Sequence, residues 1–511
     1  MEFFNSYILT LLILTPVVGA LVLALLNKEK AETLRRTAFG FGLLTFVFSL
    51  HLVARFSSGQ SGFQFAENHA WIPAYGIRYH VGVDGISLWL VILATFLTVV
   101  SILASWKGIE KRVKEFFIFI LLLEAGMIGV FLSLDLFLFY VFWEVMLVPM
   151  YFLIGIWGHG RRIYAAVKFI IYTAVGSALM LVAILSLYFL NARATGVYTF
   201  DFPIWLNNIA SNRLWIDPHI QNWLFLAFFA SFAIKVPIFP LHTWLPDAHT
   251  EAPTAGSVLL AGVLLKMGTY GLLRFNVQLF PEATRTFTPF IITLAIIGII
   301  YGALVAMVQP DLKRMVAYSS VSHLGFVVLG IFVFNMQGVE GAIYQMLNHG
   351  ISTGGLFLIV GMIYERRHTR EIAEFGGLAT PMPRLATCFM IITLSSIGLP
   401  LLNGFVGEFL ILVGGFGASI ARAKLYTSLA ATGVVWGAVY MLWMYQRVML
   451  GEVTHEANKS LPDLSGREKW VLVPLILLAL WMGIYPQFFL RKMDASVSRL
   501  LNPPIVMMVQ K

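Results

Sequence analysis

Cysteine is almost missing from this sequence: Cys388 stands alone among 511 residues. One thiol can neither ligate an iron–sulfur cluster nor close an internal disulfide, so redox chemistry connected with the chain must reside in other proteins. Charge is scarce as well. Asp, Glu, Lys and Arg make up 12% of residues, about half the 25% of a soluble domain, which is too little to solvate a water-soluble globule. A cleavable leader is not expected: Met1–Leu26 has an overlong apolar run, no basic segment before it and no small-x-small site after it, so it reads as a first span. What abounds is apolar. Hydrophobic residues reach 59%, in many stretches long enough to cross ~30 Å of hydrocarbon. The net charge of +9 sits mainly in short loops, which points to orientation in a membrane rather than to nucleic acid.

Apolar runs between charged or Pro/Gly-rich breaks predict an all-α polytopic membrane protein of about fourteen transmembrane helices. The spans fall near 5–27, 33–55, 82–106, 113–132, 134–157, 161–191, 221–245, 253–276, 287–308, 312–335, 340–365, 384–415, 424–449 and 468–489. Loops after odd-numbered spans, with their flanking turns, hold 20 lysines and arginines against 12 for the even-numbered ones and the tail. The positive-inside rule then places both termini outside the cytoplasm.

An internal echo divides the chain further. Span seven contains Lys235-Val236-Pro237 with Pro240 following, and span twelve contains Gly398-Leu399-Pro400 with Gly404 and Gly407 following. Two interrupted helices five spans apart predict two five-helix units, the second inverted by the odd helix number, with ion sites at the midplane. The expected segments are 1–110 (three helices), 111–280 (helices 4–8), 281–450 (helices 9–13) and 451–511 (helix 14 and tail), with helices 7 and 12 broken.

Titratable residues at mid-bilayer cost roughly 2.5–3.5 kcal/mol each and mark function. Glu124, Glu144, Lys235, Lys266, His323, His349 and Glu408 fall near that depth from seven spans, which predicts a horizontal polar axis. Lysine gains or loses its proton with its surroundings whereas arginine stays charged, so lysine at mid-span favours proton exchange over a static cation or a sodium site. A carboxylate moving to and from Lys235 would swing its proton affinity by ~3 pKa units, ~4 kcal/mol. Moving one charge against 100 mV costs about 2.3 kcal/mol, so such a switch suffices to pump. The bland reading of Glu144 and Lys235 is a static ion pair. For His323 and His349 it is hydrogen-bonded packing, though imidazole suits a relay near neutral pH. Glu408 has no adjacent base in the sequence and reads as a protonatable exit gate, while Lys168 lies nearer the cytoplasmic end. His242 and His249, in a polar segment between spans, lack the cysteine or second carboxylate motif that would complete a metal set.

The run PLHTWLPDAHTEAPTAGSVLLAGVLLKMGTYGLLRF, preceded by FFASFAIKVPIFP, resembles the antiporter-like membrane subunits of respiratory complex I, as do DGISL, LKRMVAYSSVSHLGF, GFVGEF and FWEVMLVPMYFLIGIWG. The likeness extends over nearly the whole chain. It implies fourteen helices, two inverted five-helix repeats and a proton channel. Glu144 and Lys235 resemble that family's coupling pair, Lys266 its central lysine, Glu408 its terminal release residue (where sister subunits have lysine), and His242, His323 and His349 its connecting histidines. Glu124 matches no motif of the family.

The resemblance also implies that NADH, flavin, iron–sulfur clusters and quinone belong to partner subunits, with no cofactor or metal in this chain. Expected partners are other complex I membrane-arm subunits, including two sister antiporter-like subunits, and lipids, in a bacterial inner membrane. Protons would travel from cytoplasm to periplasm. Two alternatives remain: a sister subunit of a cation/proton antiporter or membrane-bound hydrogenase, told apart by co-purifying subunits, and a structural scaffold whose ion pair only fixes packing.

Overall fold

A computed structural model describes residues 6–502. Eleven helices are continuous, long and apolar enough to span a bilayer: α1 (Ile8–Leu25), α2 (Ala31–Arg55), α3 (Ser87–Gly108), α4 (Val113–Leu132), α5 (Leu136–Trp157), α6 (Arg162–Thr195), α10 (Thr254–Leu279), α11 (Pro281–Met307), α12 (Leu312–Phe332), α13 (Met336–Arg367) and α16 (Ala423–Met449). A twelfth, α17 (Gly466–Ile484), bends by 68° into α18 (Gln487–Leu501). The remaining two of the fourteen expected spans are broken: α8 (Pro218–Lys235) leads into α9 (Trp244–Glu251), and α14 (Pro383–Ser396) into α15 (Asn403–Phe416). A short helix, α7 (Phe202–Ala210), precedes α8.

Both breaks have the same local cause. Pro237 and Pro400 cannot donate a backbone hydrogen bond. Ile238 N, just after Pro237, and Leu399 N, just before Pro400, each reach back five residues, to Ala233 O (2.9 Å) and Leu394 O (3.0 Å), which closes each half-helix on a widened turn next to the proline and releases the chain. Pro149 acts more gently in α5, where its missing N–H leaves an irregularity at Met146, next to Glu144.

Two matching joints recur along the chain. Asp135 caps the start of α5, accepting from Phe137 N and Leu138 N. Asp311 caps α12, accepting from Arg314 N. Each capping residue also pairs with the segment that follows the next helix. Leu136 N donates to Phe200 O (2.9 Å) and Phe202 N to Leu134 O (2.8 Å), while Leu312 N donates to Arg370 O (2.9 Å) and Ile372 N to Pro310 O (2.8 Å). Five spans separate the two joints, an odd number, so they lie on opposite faces of the membrane.

One element departs from the all-α expectation. The loop after α2 folds into an antiparallel hairpin, β1 (Gln64–Ile72) and β2 (Ile77–Val83). Buried Glu67 anchors it to α1 by accepting from Leu9 N (2.9 Å) and Thr10 N (3.0 Å). His80 Nδ1 meets Asp201 Oδ2 at 2.5 Å. The tail after α17 likewise forms amphipathic α18, whose apolar face carries Phe489, Met493 and Val497.

Candidate functional site

α10 is almost entirely buried and underwound at two places, Leu260–Leu264 and Leu272–Asn276, each a π-helical turn. Such turns widen the helix and cluster at functional positions. Lys266 sits between them, fully buried. Its ammonium donates to Ala261 O, five residues back and within the first π-turn, and to His349 Nδ1 at 2.6 Å. With Nδ1 accepting, the ring proton of a neutral His349 resides on Nε2, which has no protein partner among the described residues.

From His349 the row continues to His323 and Glu408. The rings of His349 and His323 face edge to plane with centroids 5.9 Å apart, and both border a cavity of about 10 Å³, roughly one water in size. His323 Nδ1 lies 3.1 Å from Glu408 Oε1, and Gln345 Nε2 donates to the same oxygen at 3.0 Å. Asn348 Nδ2 donates to Gln345 Oε1 (2.9 Å), which fixes the amide's orientation. Ser396 Oγ stands 3.4 Å from His323 Nε2. Close helix approach makes this possible. A Cβ on Gly407 would fall 2.5 Å from Gln345 Oε1 and one on Gly404 2.0 Å from Ser395 O, so only glycine lets α15 lie this close to α13 and α14 and bring Glu408 onto Gln345.

The other end of the row is not joined in this way. Lys235 is buried where α8 ends, but no ion pair joins it to Glu144 among the described residues. Its Nζ lies 4.0 Å from Met146 Sδ and over the rings of Trp143 (5.4 Å) and Phe169 (5.3 Å). Desolvated cation–π contacts of this kind are worth about 2 kcal/mol, so the lysine has support without a carboxylate in contact. Glu144 Oε1 is shielded and unpartnered. His242 is held between Phe239 (5.7 Å) and Tyr301 (5.1 Å). Lys168 Nζ pairs with Asp247 Oδ2 at 2.7 Å. Glu124 is fully buried on α4 with both carboxyl oxygens unpartnered.

Several members of the site carry no sequence signal of their own. Glu408 has no base nearby in the chain, yet His323, 85 residues away, is its neighbour. Gln345 and Asn348 are ordinary amides until the fold turns them onto Glu408. His249 is fully buried, stacked on Phe357 at 4.7 Å, with neither ring nitrogen partnered, and among the described residues no cluster of three metal-binding side chains includes it. Outside the membrane, His159 in the loop after α5 has its pKa lowered to about 4 by burial first and by the nearby Lys313, Arg370 and Arg162 charges.

Residues 133–435 match the family described as NADH:quinone oxidoreductase/Mrp antiporter, transmembrane, and residues 9–134 match the amino terminus of NADH-ubiquinone oxidoreductase chain 4. The chain belongs to the NADH:quinone oxidoreductase/Mrp antiporter family. Among relatives of this family, NADH-quinone oxidoreductase subunit M of Rhodobacter capsulatus is 47% identical over 97% of this chain and 96% of its own length. NADH-ubiquinone oxidoreductase chain 4 of Arabidopsis thaliana is 46% identical over 96% of each. A chain of respiratory complex I from Thermus thermophilus superposes with a TM-score of 0.85 at 32% identity, covering 97% of this chain and all of that one. The Mrp complex from Dietzia shares the fold, with a TM-score of 0.81 at 20% identity. The family match spans both broken helices and the whole polar row.

Proposed function

We propose that this chain is the antiporter-like, proton-translocating M subunit in the membrane arm of a bacterial NADH-quinone oxidoreductase. The observation that carries the reading is the contiguous set Lys266, His349, His323 and Glu408, four buried titratable side chains from four helices in successive contact. Protonated Lys266 donates to His349 Nδ1. Transfer along that bond makes His349 cationic, and its Nε2 proton then passes through the small cavity to His323 and on to the Glu408 carboxylate. Glu144 and Lys235 form the control element: a carboxylate that closes on Lys235 holds its proton and one that withdraws releases it. Helices 4–8 and 9–13 form the two repeat units around this row, within residues 111–280 and 281–450.

Protons are taken up from the cytoplasm and released to the periplasm, with both termini periplasmic in the inner membrane, as the lysine and arginine distribution supports. NADH oxidation and quinone reduction, with their flavin and iron–sulfur clusters, belong to partner subunits, and two sister antiporter-like subunits adjoin this one. The test is proton pumping by the intact complex in proteoliposomes with Glu144→Gln, which keeps side-chain shape. Pumping falls to background while the complex assembles normally. Preserved pumping in that variant would make the polar row a packing device.

A further inference from the structure

On the membrane face of the molecule, α2, α3, α13, α17 and α18 enclose an open groove of about 470 Å³. Every side chain lining it is apolar apart from the indole N–H groups of Trp89 and Trp481, and Trp89 Nε1–H is bonded to Phe489 O at 3.2 Å. The groove is short. Its α17 wall runs from Met482, near the α18 end, back to Pro474, ~12 Å at 1.5 Å per residue, and its α2 wall from Val53 to Phe46 is of similar depth. That is most of one leaflet's ~15 Å of hydrocarbon and stops short of the other leaflet. A neighbouring transmembrane helix, about 10 Å across and bilayer-long, does not match such a shape. One acyl chain of a lipid does.

The mouth is basic. Arg491 and Lys492 follow Phe488 and Phe489 on α18, and Arg55 follows Val53 at the end of α2. Lys492 Nζ donates to Val53 O (3.1 Å) and Phe56 O (3.5 Å), which fixes its ammonium at the rim with a third donor remaining. The nearest acid on α18, Asp494, is hydrogen-bonded to Glu340 of α13 instead. We propose that the groove seats one anionic phospholipid, with an acyl chain between α3 and α17 and its phosphate at Arg491 and Lys492. The floor of the groove gives the lipid a role. Leu347 and Ile351 on α13 line it, one turn apart on a stripe opposite His349. The chain therefore backs the helix that carries the central histidine.

The test uses the whole complex in nanodiscs containing phosphatidylglycerol with a photoactivatable acyl chain. Labelled peptides come from α3 and α17. Filling the groove with Ile92→Trp and Leu477→Trp displaces a few buried methylenes and lowers that labelling about tenfold, with labelling elsewhere unchanged and one phospholipid fewer retained in native mass spectrometry. Leu477 is 59% exposed, so the larger ring there leaves the fold intact. Arg491→Gln weakens labelling by phosphatidylglycerol more than by phosphatidylcholine. Groove labelling that is absent, that persists in the filled variant, or that gives way to cross-links with another subunit would overturn the proposal.

Discussion

Lys266, His349, His323 and Glu408 are held in mutual contact and braced by Gln345, Asn348 and Ser396, whereas Glu144 and Lys235 stand apart with a thioether and two aromatic rings around the lysine. The difference teaches how one row can both conduct and be controlled. Proton transfer needs donors and acceptors within hydrogen-bond reach, and the first region has them, bonded directly or facing one another across a water-sized cavity. Control needs a pair that can open and close, and an unpaired Glu144 beside a loosened turn at Met146 is built for that. A row bonded along its whole length would have no element left to switch.

The comparison breaks most severely at His349. His349→Gln keeps a hydrogen-bond acceptor for Lys266 but cannot carry a proton through the ring, and proton pumping by the assembled complex falls at least about tenfold. Pumping within twofold of the parent would show that the bonded row is not the path. Gly407→Val comes next. A branched side chain where a Cβ already falls 2.5 Å from Gln345 Oε1 costs about 1–3 kcal/mol of overpacking, read as a lower unfolding temperature, and it separates Glu408 from its partners. Met146→Leu sharpens the other side of the comparison: volume is kept and only the thioether is lost, so pumping changes less than about twofold, within the small cost of such swaps.

The smallest effect lies outside the membrane, at His159. Its pKa is about 4 in the folded chain against roughly 6.5 unfolded. The unfolded state therefore binds more protons below about pH 6.5, and stability is lost as pH falls from there toward 4. Above pH 6.5 the group contributes no pH dependence. His159→Gln flattens that acid limb in thermal unfolding measured against pH.

What the sequence made legible follows from how steeply each feature is penalised. Fourteen spans could be read because hydrocarbon tolerates few charges, and the breaks at Pro237 and Pro400 because proline removes a backbone donor. The burial of Lys235, Lys266 and Glu408 is what a place in the middle of an apolar span leads one to expect. The hairpin at Gln64–Val83 escaped because one stray strand pair in a long polar loop has no strong periodicity, and it depends on Glu67 finding α1. The amphipathic α18 escaped because a tail with Arg491, Lys492 and Arg499 reads as solvated. The joining of His323 to Glu408 was invisible for a different reason: it depends on Gly404 and Gly407 letting three helices close together, and nothing local to either residue encodes it. The distance between Glu144 and Lys235 was equally beyond reach, since sequence gives shared depth and not separation.

The most direct measurement is the number of protons moved per NADH oxidised by the intact complex in proteoliposomes, with Lys266→Met beside the parent. Methionine fills the lysine's space without a donor, so the account predicts full assembly and a lower proton yield per NADH. An unchanged ratio in a correctly assembled Lys266→Met complex would contradict it.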